Sequence, residues 1–204
     1  VNAGDKIAFV GPNHWAKTVL FEILSGSMEG DSGSYTWGVT TSLSYFPKDN
    51  AHLFEEHISI IDWLRQYSKD NDETYIRSFL GRMLFSGDEA LKDCTVLSGG
   101  EKVRCVLSRM MLEQANCLIF DEPTSHLDLE AITALNNGLI DFGGIILFNS
   151  HDHQFVESIA NRIIEFTPGG VIDRSMGFEE YFADPLIRSM RDEYYGGSRN
   201  VAAL

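Results

Sequence analysis

The spacing of apolar positions changes repeatedly along the chain, and each change marks an element. Lys6 to Val10 is a short apolar run that ends in Gly11-Pro12-Asn13, and from Lys17 to Leu24 apolar residues recur at helical spacing. A strand, a loop and a helix are predicted there. After the turn residues Gly30-Asp31-Ser32-Gly33, the stretches Ser34 to Gly38 and Thr40 to Phe46 alternate like half-buried strands and predict a small antiparallel layer beside the main sheet. Between Ile58 and Asp93 the period is helical, carried by Ile58, Ile61, Trp63 and Leu64 and then by Tyr75, Phe79, Leu80, Met83 and Leu84. A smaller helical lobe is expected over about 58–96.

Ser98-Gly99-Gly100 opens a further helix whose Val103, Leu107, Met110 and Met111 share a face, and the apolar strand Cys117 to Phe120 follows directly. Beyond it the pattern predicts a helix near Leu129 to Leu139, a strand at Ile145 to Asn149 and a helix from Gln154 to Ala160. Short strands around Ile163 to Phe166 and Val171 to Asp173 come next, then an acidic helical segment from Phe178 to Tyr195 and a loose tail over 196–204. Strands alternating with helices of this length imply an α/β fold: a mostly parallel sheet covered on both faces, with ligands at the carboxyl ends of its strands.

Composition narrows the function classes. With 204 residues, 44% of them hydrophobic, the chain can bury the core of one domain. A formal charge of −14 argues against a broad basic surface for nucleic acid. The longest apolar runs are too short to span a bilayer, and no signal-peptide pattern opens the chain. Cys94, Cys105 and Cys117 are odd in number and lack Cys-x-x-Cys spacing, so reduced thiols in a cytoplasmic protein are expected rather than disulfides or a zinc site. Val1 leads into a strand within four residues, which reads as the inside of a domain and hence as a fragment.

The candidate chemistry lies at strand ends. Gly11, Pro12, Asn13, His14, Trp15, Ala16, Lys17 and Thr18 follow a strand and open a helix, the context a phosphate-binding loop requires. Backbone amides would hold phosphates, Lys17 would reach the β and γ groups, and the Thr18 hydroxyl would ligate magnesium. Ala16 stands where such loops carry a second glycine, and a Cβ at a left-handed position would cost about 1–2 kcal/mol. His14 and Trp15 are also bulky for the loop, so one alternative is a loop that keeps its fold but binds nucleotide weakly.

The buried strand Cys117 to Phe120 ends in Asp121 and Glu122. Asp121 is placed to hold magnesium and Glu122 to act on the attacking water as general base, although an Asp-Glu pair alone is also common as a helix cap. Ser98, Gly99 and Gly100 at a helix N-terminus make a second anion site. His151, just past the strand Ile145 to Asn149, could donate a hydrogen bond to a γ-phosphate. The stretch His151-Asp152-His153 could also be read as metal-binding, but adjacent loop residues rarely converge on one ion.

Taken together these motifs resemble the ATP-binding-cassette proteins over nearly the whole chain. Walker A at Gly11 to Thr18, the signature at Leu97 to Lys102, Walker B with its glutamate at Cys117 to Glu122, the D-loop at Ser125 to Asp128 and the switch histidine His151 stand in that family's order and spacing. Glu-Pro-Thr-Ser-His-Leu-Asp at 122 to 128, Ser-Gly-Gly-Glu-Lys-Val-Arg at 98 to 104 and Ser-His-Asp-His-Gln-Phe at 150 to 155 look like the ribosome-acting ABC-F class. The resemblance implies a single P-loop nucleotide-binding domain over 1–204 that binds ATP and Mg2+. It also implies hydrolysis only when the domain is paired with a second cassette, with the ribosome as partner, this chain being the second cassette of a tandem protein. On that likeness Asp128, with Ser98 to Gly100, would complete the nucleotide site across the pair.

Two departures limit the carry-over. Lys48 falls where the family has its Q-loop glutamine, and a lysine cannot ligate magnesium; either Asp49 compensates or the metal makes one fewer protein contact. The aromatic that stacks on adenine in that family stands before Walker A, and by the resemblance it is expected upstream of Val1. A transporter ATPase subunit and a non-catalytic nucleotide-binding scaffold stand as competing functions.

Overall fold

A computed structural model describes residues 1–196. Six strands form one sheet in the order β2-β3-β4-β1-β5-β6: β1 Lys6–Val10, β2 Leu43–Phe46, β3 Cys117–Asp121, β4 Ile145–Asn149, β5 Arg162–Thr167 and β6 Gly170–Arg174. The first five run parallel, and β6 closes the edge antiparallel to β5. The helices are α1 His14–Ser25, α2 Ile60–Arg65, α3 Glu73–Arg82, α4 Gly99–Glu113, α5 Leu129–Ile140, α6 His153–Ile159, α7 Phe178–Ala183 and α8 Pro185–Tyr194. Among the described residues, no helix is long and apolar enough to cross a membrane.

The central strands are apolar on both faces because both are covered. Successive side chains point to opposite sides, so Ile7, Phe9, Ile119 and Leu147 pack with Phe21 of α1 on one face. Ala8, Val10, Leu118, Phe120, Ile146 and Phe148 face a larger core on the other side that runs on through α4 to Trp63, Leu64, Phe79 and Leu80 of the helical region. The β-sheet therefore presents the ends of β1, β3 and β4 together at one rim, and the candidates at 11–18, Asp121, Glu122 and His151 lie at or just beyond those ends.

Three expectations change. The antiparallel part of the sheet is the β5–β6 pair, whereas residues 34–38 form no strand and β2 joins the main sheet parallel to β3. The alternating aromatics of that stretch serve α1 instead: Tyr35 Oη donates to the Ile23 carbonyl at 2.7 Å and Trp37 Nε1 to that of Leu24 at 3.1 Å. Those carbonyls lie in the last turn of α1, where the i+4 partner of the helix interior is lost and, at Ile23, only the Gly26 N–H also donates, at 3.0 Å. Second, α1 begins at His14, not Lys17, capped by the Asn13 side chain, which accepts from the Ala16 N–H at 3.1 Å. Third, the segment 178–195 is two helices broken at Asp184-Pro185, where Asp184 caps α8 and Pro185 takes its first turn.

The region expected as a helical lobe holds α2 and α3 with short 3₁₀ turns at Gly87–Leu91 and Cys94–Val96. Serine and aspartate start its pieces: Ser59 and Asp72 accept from the N–H groups of Asp62 and Thr74, and Ser86 forms a reciprocal capping box with Glu89. The tail expected over 196–204 lies, from residue 197 on, outside the described residues. All three cysteines are buried and unbridged. Burial pushes the Cys94 and Cys117 thiols up to about 11, which keeps them protonated and inert.

Candidate functional site

The chain leaves β1 through Gly11, whose φ of +116° belongs to the glycine region. A Cβ here would meet the Phe166 carbonyl oxygen at 2.3 Å, so close packing on β5 fixes the turn that aims α1 at the rim. Ala16 carries no strain. It lies inside right-handed α1 and is absent from the positive-φ positions, so the cost expected for its Cβ does not arise. The first turn of α1 contains no acidic residue, leaving its N-terminal dipole uncompensated.

Lys17 is 2% exposed, and its Nζ donates to the Gly11 carbonyl at 3.3 Å. Burial pushes its ammonium down from the ordinary lysine range, while Glu122 and Asp121 pull it back up. Beside it, both carboxylate oxygens of Asp121 are buried and have no hydrogen-bond partner. A charge held in this way is costly unless a ligand completes it. Oxygen donors from Asp121 and the half-buried Thr18, next to a buried ammonium, fit magnesium bound with phosphate.

Glu122 is held in a strained turn. Its φ of 53° is left-handed for a non-glycine residue, at a cost of about 1–3 kcal/mol, and its N–H is locked by the Asn149 side-chain oxygen at 2.8 Å. The carboxylate faces His151: Oε1 lies 3.1 Å from Nε2, and Oε2 accepts from the His151 backbone N–H at 3.2 Å. His14 stacks obliquely on the same imidazole, with ring centroids 4.8 Å apart. Burial, together with Lys17, His151 and Lys48, pushes His14 below the ordinary histidine range. The structure thus brings Lys17, Asp121, Glu122 and His151 together, with His14 over them.

A cavity of about 550 Å³ opens beside this cluster, lined among others by Thr18, Tyr45, Lys48, Asp49 and Arg109. Tyr45, on β2, escaped the sequence reading; burial and the nearby Asp121 raise its hydroxyl well above the ordinary tyrosine range. Asn149 escaped it as well, though pairing in register with Asp121 on the neighbouring strand is a signal that strand ends could have given. Asp49 accepts from the Ala51 N–H at 3.1 Å, a local turn contact.

The remaining candidates stand apart. Ser98 caps α4 in a reciprocal box: its N–H and hydroxyl both donate to Glu101 Oε2, at 2.9 and 2.8 Å. Gly99 and Gly100 lie against His126, and a Cβ on Gly100 would come within 2.8 Å of the His126 carbonyl oxygen. Asp128 caps α5 by accepting from the Ala131 N–H at 2.9 Å. No hydrogen bond or ion pair among the described residues joins Ser98 to Gly100, or Asp128, to residues 11–18.

With this geometry in hand, the family described as ABC transporter matches residues 1–125. The chain belongs to that ATP-binding-cassette family. It is 59% identical over 197 residues to the Bacillus subtilis ABC transporter ATP-binding protein YkpA, covering 96% of this chain and 36% of that protein. It is 29% identical over 194 residues to the Arabidopsis thaliana ABC transporter F family member 2, covering 95% of this chain and 28% of the relative. The cassette thus spans about a third of the length of the curated relatives it matches.

Solved structures share its fold. One is the archaeal ribosome recycling factor aABCE1, in its complex with the archaeal ribosomal stalk protein aP1. It matches at 24% identity and a TM-score of 0.68, over 88% of this chain and 36% of that one. Another is an inward-facing ABC transporter described as of metal-chelate type, at 20% identity and a TM-score of 0.70, over 95% of this chain and 80% of that one.

Proposed function

We propose that this cassette binds ATP with magnesium across the ends of β1 and β3 and hydrolyses it when paired with a second cassette. The observation that carries the proposal is the buried, partnerless carboxylate of Asp121 beside the buried ammonium of Lys17. Magnesium, held by Thr18 and Asp121, would supply positive charge at the phosphoryl oxygens. Lys17 and the amides at the start of α1 bind the phosphates. Glu122, fixed by Asn149, takes the proton of the attacking water, and His151 turns from Glu122 to donate to the γ-phosphate.

The separation of the signature from the Walker residues supports a second cassette. The N-terminus of α4, capped by Ser98 and Glu101, has no hydrogen bond or ion pair to residues 11–18 among the described residues, which supports its serving a nucleotide held by the partner. Asp128 joins it there. Likeness at 122–128 to the ABC-F class, the F family relative and the fold shared with a ribosome recycling factor support a translation-associated role; this chain would then be the second cassette of a tandem protein.

The cavity bordered by residues 45–53 favours a second reading, an ATPase subunit whose transmembrane partner docks beside the Q-loop position. Glu122→Gln separates active cassette from scaffold. Turnover falls at least about 100-fold and ATP stays bound in a paired, closed form detectable by gel filtration. Unchanged turnover would show that Glu122 is not the base. Cosedimentation of the ATP-trapped variant with ribosomes supports the translation role, and its absence supports the transporter reading.

A further inference from the structure

In sequence His151-Asp152-His153 could be read as metal-binding, but adjacent loop residues rarely converge on one ion; the fold brings other residues to His151. His14, brought over the rim by the early start of α1, joins Glu122 and His151, and one ligand atom from each lies within 4.8 Å of the others. His153 is turned away, its ring packed edge-on against Phe178 at 5.4 Å. Four-coordinate zinc, with bonds of about 2.0–2.2 Å, sets its ligand atoms roughly 3.3 Å apart. The Glu122 Oε1 to His151 Nε2 distance of 3.1 Å already meets that spacing. His14 is exposed at the first position of its helix, free to close the remaining gap.

We propose that His14, Glu122 and His151 form a zinc-class metal site that competes with catalysis at the same cassette. Two imidazoles and one carboxylate are borderline donors that suit zinc or cobalt and not magnesium, which takes oxygen ligands. The site is distinct in its ligands from the Thr18 and Asp121 pair. Glu122 is rigid, pinned through its backbone by Asn149, so it can serve as the fixed corner of the site. The two histidines, both exposed, leave the fourth position open to water. The chain's formal charge of −14 favours cation entry. A bound ion ties up the general base and the γ-phosphate donor together, so the zinc-loaded cassette does not turn over; this regulatory part rests on the function proposed above.

The test separates the two. Chelator-treated protein is titrated with Zn2+ by calorimetry without nucleotide, and with Co2+ by visible absorption. One ion per chain is expected, with the intense absorption of tetrahedral cobalt. His14→Ala and His151→Ala should each weaken Zn2+ binding at least about tenfold. His153→Ala should leave it unchanged. No binding to the wild type, or equal binding by His14→Ala, overturns the site. ATP binding, measured separately, bears on the proposed function and leaves the metal result standing if it fails. Turnover by the zinc-loaded protein at the unloaded rate overturns the inhibitory role.

Discussion

Two buried carboxylates sit in the same β-sheet and are treated in opposite ways. Glu165, on β5 and 1% exposed, accepts from the hydroxyls of Tyr181 at 2.8 Å and Tyr195 at 2.9 Å, and from Arg191 Nε at 2.9 Å. Asp121, at the end of β3 and fully buried, accepts from nothing. The first network fastens the C-terminal helices to the sheet and meets the requirement that a buried charge be paired. The second leaves that requirement open. A fold able to surround Glu165 with three donors leaves Asp121 bare at the rim where Lys17 and Glu122 converge, as the metal-ligand role proposed for Asp121 requires and a structural role for Glu165 does not.

The contrast breaks most visibly at Glu165. Glu165→Ala strips the partner from Arg191 and two hydroxyls, and should destabilise the nucleotide-free chain by about 3 kcal/mol. Tm should then fall by about 6–12 °C in differential scanning calorimetry. A smaller change of the opposite sign is expected at Asp121. Asp121→Asn removes an unpaired buried charge and should raise the nucleotide-free Tm by about 2–4 °C, or about 1 kcal/mol. Equal losses from both substitutions would show that the two acids are alike.

The smallest effect concerns an acid at the signature. The Lys92 ammonium, with further hydrogen bonds from Ser98, holds Glu101 down at about 2 against an ordinary 4.5. A carboxyl depressed on folding contributes stability above its unfolded value and loses it as pH falls through its folded one. Glu101→Gln should therefore lower Tm by up to about 3 °C near pH 6, and the difference should vanish as pH falls from 4.5 toward 2. A difference that persists at pH 2 would place the stabilisation elsewhere than in the carboxylate.

Much of this molecule was legible in its sequence because strands buried on both faces read as continuous apolar runs. Lys6 to Val10, Cys117 to Phe120 and Ile145 to Asn149 emerge as β1, β3 and β4, and the Walker residues fall at their ends. Residues 34–38 misled because alternation of aromatics with polar residues looks the same whether they face a core or cap the end of a helix. Ala16 misled because the second glycine of such loops suggests a left-handed position, whereas Asn13, a strong cap, starts α1 early and leaves residue 16 in right-handed helix. His14 over His151 joins residues more than 130 positions apart, and only the order of strands β1 and β4 makes them neighbours.

The role of Asp121 is best tested by calorimetric titration of ATP into the wild-type chain and into Asp121→Asn, with magnesium and with EDTA. Magnesium should tighten ATP binding by the wild type at least about tenfold and leave Asp121→Asn unaffected. A variant that keeps the full magnesium dependence would contradict the assignment of that bare carboxylate to the nucleotide's metal.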